Sequence, residues 1–142
     1  GQVDAVIGAY RNFELNQMDI EGRPGRAFYL EEEGVPAFDE LIIVTRRDNL
    51  GDPRLRPFLD AIEAATQYMV NHPDAAWKLF LKGNRDLDDE LNRRAWRDTL
   101  ARFALRPAAL DSVRYERFAA FLKGRGLIKA VPPLGSYAVE LR

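Results

Sequence analysis

The residues best suited to chemistry lie near the start of the chain, in the run Gly8-Ala9-Tyr10-Arg11-Asn12-Phe13-Glu14. An aromatic ring, a guanidinium, an amide and a carboxylate fall within five positions, just after a glycine. A carboxylate in a cleft accepts two hydrogen bonds from an amino group and a neighbouring ring N–H, and a tyrosine ring lies flat against such a heterocycle. Glycine lets the backbone approach a ligand closely, and a following helix N-terminus offers free N–H groups. The same spacing also fits a plain arrangement, in which Glu14 is an exposed acid of a first helical turn and Tyr10 is simply packed. Both readings stand at this point.

Other residue groups exclude more than they suggest. The 142 residues contain no cysteine, which rules out disulfides, thiolate metal sites and cysteine nucleophiles. His72 is the single histidine, so this chain by itself holds no Ser-His-Asp or Cys-His constellation and no histidine-rich metal site. Between Asn71 and Pro73 it reads as a cap or surface residue. The run Glu31-Glu32-Glu33 reads as a solvated strand end, because metal ligands must converge from separate elements. Trp77 and Trp96 fall on apolar helical stripes and read as core. No catalytic residue and no metal ligand is assigned.

Lys and Arg total 21 against 22 Asp and Glu, a net charge of -1 without a basic stripe, so nucleic acid is not an expected partner. No apolar run approaches the ~20 residues that span a bilayer.

The elements that must position these side chains divide by character near residue 50. Val3–Gly8, Ala27–Leu30 and Leu41–Thr45 carry the β-branched or continuous apolar pattern of short strands. Leu41-Ile42-Ile43-Val44-Thr45 in particular suits a strand covered on both faces. A short helix over Tyr10–Met18 joins the first two, and Tyr137–Leu141 reads as a last short strand. From Asp52 onward four helices are expected: Pro53 to about Val70, Pro73 to Gly83, Asp86 to Phe103 and Asp111 to about Gly124. The reading is an α/β fold, strands first and then four helices. A first strand at residue 3, with no signal peptide before it, points to further chain upstream.

Four stretches together resemble a known family. Val3-Asp4-Ala5-Val6-Ile7-Gly8-Ala9-Tyr10-Arg11-Asn12-Phe13-Glu14 is similar to a segment of the NMT1/THI5-like thiamine-pyrimidine binding proteins. Glu33-Gly34-Val35-Pro36-Ala37-Phe38-Asp39-Glu40-Leu41 through Thr45, and the helices with Asn71-His72-Pro73-Asp74-Ala75-Ala76 and Asp89-Glu90-Leu91-Asn92, fit the same family. The resemblance covers about the second half of a typical member. It implies the C-terminal portion of a type II periplasmic-binding-protein-like, two-lobed fold. Residues 1–33 would end one lobe, 34–50 cross into the other, and 51–142 supply its helical part.

The function the resemblance implies is capture of a thiamine-precursor pyrimidine for an ABC importer, without catalysis and without a cofactor. The partners implied are the pyrimidine and the transporter permease, with a homodimer or a missing N-terminal half to cover open surfaces. The place implied is the periplasm or the outer face of the bacterial inner membrane, by a lipid anchor. Carried over by position, Glu14 would bond the aminopyrimidine edge while Tyr10 and Asn12 line the cleft. Arg11 stands where relatives are expected to carry an aromatic residue, and it would favour an anionic group. Two alternatives follow: a pyridoxal-phosphate-dependent pyrimidine synthase, requiring a Schiff-base lysine, and a receptor for a small anion such as a sulfonate. Glu14 argues against the second.

Overall fold

Side-chain caps and turn chemistry set the helix bounds in the computed structural model, which describes residues 3–141. α1 spans Glu14–Ile20, α2 Leu55–Asn71, α3 Pro73–Gly83, α4 Glu90–Leu100 and α5 Ser112–Gly124. Single 3-10 turns occupy Arg47–Asn49, Arg85–Leu87 and Leu134–Ser136.

The four helices expected beyond residue 52 form as α2 to α5, with ends moved by local bonds. α4 begins at Glu90 rather than Asp86, because the Asp89 carboxylate accepts the Asn92 N–H at 2.7 Å. Asp111 caps α5 in the same way, accepting from the Arg114 N–H at 3.0 Å. Asp52 lies outside α2 and accepts from both the Arg54 N–H (2.9 Å) and the Arg54 guanidinium (2.6 Å). The guanidinium bond, then the backbone one, holds the Asp52 carboxyl down to about 2. α3 starts on Pro73, whose missing N–H costs nothing in a first turn. α5 closes with Gly126 at φ +71°, the Leu127 N–H bonding the Leu122 carbonyl and the Gly126 N–H that of Lys123. That left-handed step is where a glycine is needed to end the helix.

The α/β expectation is overturned: no strand occurs among the described residues. Val3–Gly8, Ala27–Leu30, Leu41–Thr45 and Tyr137–Leu141, all read as strands, are coil or turn. The strands-first architecture falls with them. A strand's backbone N–H and C=O groups must be paired by a neighbour, and apolar content supplies none of those bonds. Ile7 is 100% exposed and Leu41 86%, so the Val3–Gly8 and Leu41–Thr45 runs have neither a ladder nor a covering layer. The helix expected over Tyr10–Met18 starts four residues later, at Glu14, after a turn.

The chain forms two compact units, residues 1–27 with 64–105 and residues 28–63 with 106–142, the division falling inside α2. In the first unit α4 packs on α1 and on α3. Trp77 and Phe80 of α3 meet Trp96 of α4, with ring centroids 5.4 and 5.9 Å apart. The tryptophans are therefore part of the apolar contact, and the buried Trp96 Nε1 has no hydrogen-bond partner. In the second unit α5 packs against the 134–136 turn. The Arg56 guanidinium donates to the Leu141 carbonyl at 2.7 Å and that of Arg47 to Ser136 at 2.6 Å, fastening the tail. The core is thin: among the described residues only Thr66, Ala76, Ala95 and Ala119 are buried, and no large side chain is.

Candidate functional site

The Tyr10–Glu14 segment folds into a closed turn. The Tyr10 carbonyl accepts the N–H groups of Phe13 and Glu14, both at 3.0 Å, while the Glu14 Oε2 accepts the Tyr10 N–H at 2.7 Å. The two residues thus clasp each other across the first turn of α1, satisfying helix-start donors that would otherwise need water. Gly8, at φ +92°, turns the chain just before them with open space where a Cβ would stand. Glu14 is half-buried and Tyr10 is 49% exposed.

Asn12 faces a different partner. Its amide Nδ2 donates to Thr99 Oγ1 of α4 at 2.6 Å, and that hydroxyl donates in turn to the Ala95 carbonyl at 2.6 Å. Asn16 bridges the same two helices, from the Asn12 carbonyl (3.0 Å) to Asp98 Oδ2 (2.7 Å). One turn further along, Arg94 of α4 reaches Asp19 at 2.6 Å. α4 is therefore the beam on which the turn is mounted. Arg11 is half-buried beside Asn12.

Of the four residues singled out in the sequence, Tyr10 and Glu14 are brought into direct contact. Asn12 is committed to α4, and Arg11 lies in the same turn. Thr99 and Asp98 were missed. They lie more than eighty positions away, in a helix whose polar residues resemble any solvated face. The three glutamates 31–33 curl into a turn, the Glu32 N–H bonding Tyr29 O at 2.9 Å and the Val35 N–H bonding Leu30 O at 3.0 Å. Among the described residues no group of three or more His, Cys, Asp and Glu is placed to hold a metal ion. His72 stands at the N-cap of α3, exposed, with its ring 4.9 Å from that of Tyr68.

A concavity occurs wholly within the other unit. It encloses about 410 Å³. Phe38 stacks on Phe118 at 4.7 Å, and Tyr115 lies 6.2 Å from Tyr137. Ile42, Leu122 and Ile128 complete the apolar lining. The charged pair at its rim is Arg114 with Asp39, 2.5 Å apart. The Asp39 carboxylate holds the guanidinium in its charged form, raising its pKa, and burial, reinforced by that carboxylate, pushes the Tyr115 phenol up. Charge is thus neutralised in place, and what the concavity presents is apolar and aromatic surface.

Comparison with known proteins gives the chain its context. The family model described as NMT1/THI5 like matches residues 1–76. A "Putative thiamine biosynthesis protein" of Haemophilus influenzae is 47% identical over 142 residues, 99% of this chain and 45% of that protein. A "Formylaminopyrimidine-binding protein" of Halalkalibacterium halodurans is 31% identical over 83 residues, 57% of this chain and 25% of that protein. The chain thus spans less than half the length of either relative. No solved structure matches it significantly. With the family model covering more than half of its residues, the Tyr10–Glu14 turn included, the chain belongs to the NMT1/THI5-like family.

Proposed function

We propose that this chain is part of a non-catalytic binding protein for a thiamine-precursor pyrimidine. The observation that carries the reading is the pair of relatives, one named for thiamine biosynthesis and one for binding formylaminopyrimidine, on a chain of the same family. The Tyr10–Glu14 turn supports it. A carboxylate has about four acceptor sites, so the bond from the Tyr10 N–H leaves Glu14 capacity for an amino group and a ring N–H. The Tyr10 ring is exposed enough to lie against a heterocycle. Asn12, tied to Thr99, holds the turn in register, and Arg11 lies next to it in the chain.

In this reading the protein serves as the solute-binding component of an ABC importer, working in the periplasm or lipid-anchored at the outer face of the inner membrane. It hands the pyrimidine to a permease and needs no cofactor.

Titration calorimetry with formylaminopyrimidine tests the proposal on this chain, with the intact Haemophilus relative as reference. Binding that Glu14→Gln weakens by about 1.5–3 kcal/mol, the usual range for a charged hydrogen bond, supports it. Heat with a sulfonate and none with the pyrimidine moves Arg11 to the centre of an anion site. A visible absorption band on adding pyridoxal phosphate, abolished by borohydride trapping on a lysine, replaces binding by synthesis.

A further inference from the structure

Asn12 is fixed by a chain of hydrogen bonds that runs in one direction. The Thr99 hydroxyl has a single proton, and it is spent on the Ala95 carbonyl one helical turn back, at 2.6 Å. The hydroxyl oxygen is then left to accept, so the Asn12 amide must present its nitrogen, and Nδ2 donates to Thr99 Oγ1 at 2.6 Å. Asn12 and Thr99 are half-buried and Ala95 is buried, which keeps bulk water from competing for the last acceptor. The backbone of Asn12 is held as well. Its carbonyl accepts from Asn16 Nδ2 at 3.0 Å, and the same amide group bonds Asp98 Oδ2 at 2.7 Å. Asn12 is therefore tied to α4 by its own side chain and again through Asn16, midway between Tyr10 and Glu14.

We infer that Thr99 is a positioning residue of the ligand-binding turn, and that Asn12 is its link to that turn rather than a contact to the ligand. The inference rests on the pyrimidine reading of the turn and changes the part that Asn12 plays in it. The bond between Glu14 and the Tyr10 N–H joins residues four apart, so it closes the turn without orienting it. Orientation comes from α4. Hydrogen bonds hold only near their preferred distance and angle, so the turn is steady where Thr99 and Asn12 meet, and Glu14 follows two residues later. A turn released from α4 spends part of its time in other arrangements. The apparent Kd then rises by the reciprocal of the fraction that stays competent. With one net hydrogen bond removed, that rise is about fivefold.

The test is titration calorimetry with formylaminopyrimidine on the full 142-residue chain, for Asn12→Ala, Thr99→Val and the two combined. Each single variant is expected to raise Kd about fivefold. The double variant should raise it no further, because both substitutions remove the same bond. Thr99→Ser, which keeps the hydroxyl, should return the Kd of the unaltered chain. An Asn12→Ala variant that costs clearly more than Thr99→Val, with additive effects in the pair, makes Asn12 a ligand contact and overturns the inference. So does a Thr99→Val variant that lowers the melting temperature without moving Kd, since the bond is then purely structural. Absence of binding by the unaltered chain is a failure of the pyrimidine reading alone. The brace is in that case judged by hydrogen exchange at the amides of 13 and 14. Faster exchange in Thr99→Val, restored by Thr99→Ser, upholds it, and unchanged exchange sinks it.

Discussion

The turn that begins α1 and the hollow beside α5 are held in place by different forces. The first is a lattice of directional bonds: Glu14 to the Tyr10 N–H, Asn12 to Thr99, Asn16 to Asp98 and Arg94 to Asp19. The second is mostly ring against ring, Phe38 on Phe118 and Phe118 beside Phe121 at 6.2 Å, with a single charged pair at its edge. Hydrogen bonds need both partners at defined distances and angles, so the first region fixes where four polar side chains stand. Apolar contact is non-directional and scales with area removed from water, so the second region leaves surface still to be covered.

Substitutions separate the two regions by size of effect. Phe118→Ala removes the ring that joins Phe38 to Phe121, and chemical denaturation is expected to show a loss of roughly 2 kcal/mol, below the full cost of a completely buried phenylalanine. No loss would mean that the rings are already served by solvent. Thr99→Val keeps the shape of the side chain but deletes the acceptor for Asn12, costing about 1 kcal/mol. Hydrogen exchange at the amides of 13 and 14 should rise with it, while residues of α5 stay unchanged. Equal acceleration in both regions would erase the distinction between them. Asp111→Ala strips the N-cap of α5 and should lower stability by about 1 kcal/mol or slightly less, read as fraying of 112–115. Asp39→Asn, which breaks the partly exposed pair with Arg114, is expected to cost only ~0.5 kcal/mol.

The smallest effect is one of pH. The Asp52 carboxyl lies at about 2 in the folded chain against 3.8 unperturbed. A depressed acid stabilises the folded state fully above its unfolded value and loses that contribution as pH falls through the folded one. Protection at the start of α2, with exchange normalised to the intrinsic rate at each pH, should therefore hold steady down to about pH 4 and fall between there and pH 2. Asp52→Asn should flatten that profile. A transition left in place by the substitution would belong to another carboxylate.

How much of this was readable in the chain follows from the range of the forces involved. Asp89, Asp111, Pro73 and the glycine after α5 act on nearby residues, so the helices of the second part were legible as such, with ends displaced by up to four residues. Tyr10 and Glu14 were legible as candidate residues, without the bond from the Tyr10 N–H that joins them. Their support was not: Thr99, Asp98 and Arg94 reach α1 across more than seventy residues, and their spacing in α4 is that of an ordinary solvated helix. The strands were misread because Leu41 to Thr45 has the composition of a covered strand, and composition reports side-chain preference without supplying a ladder partner. By itself the sequence determined the local elements that close their own hydrogen bonds, namely helices and caps. Only the tertiary structure decided which distant polar residues brace the Tyr10–Glu14 clasp, and that the apolar run at 41–44 finds no cover within the described chain, because both depend on contacts that no local pattern encodes.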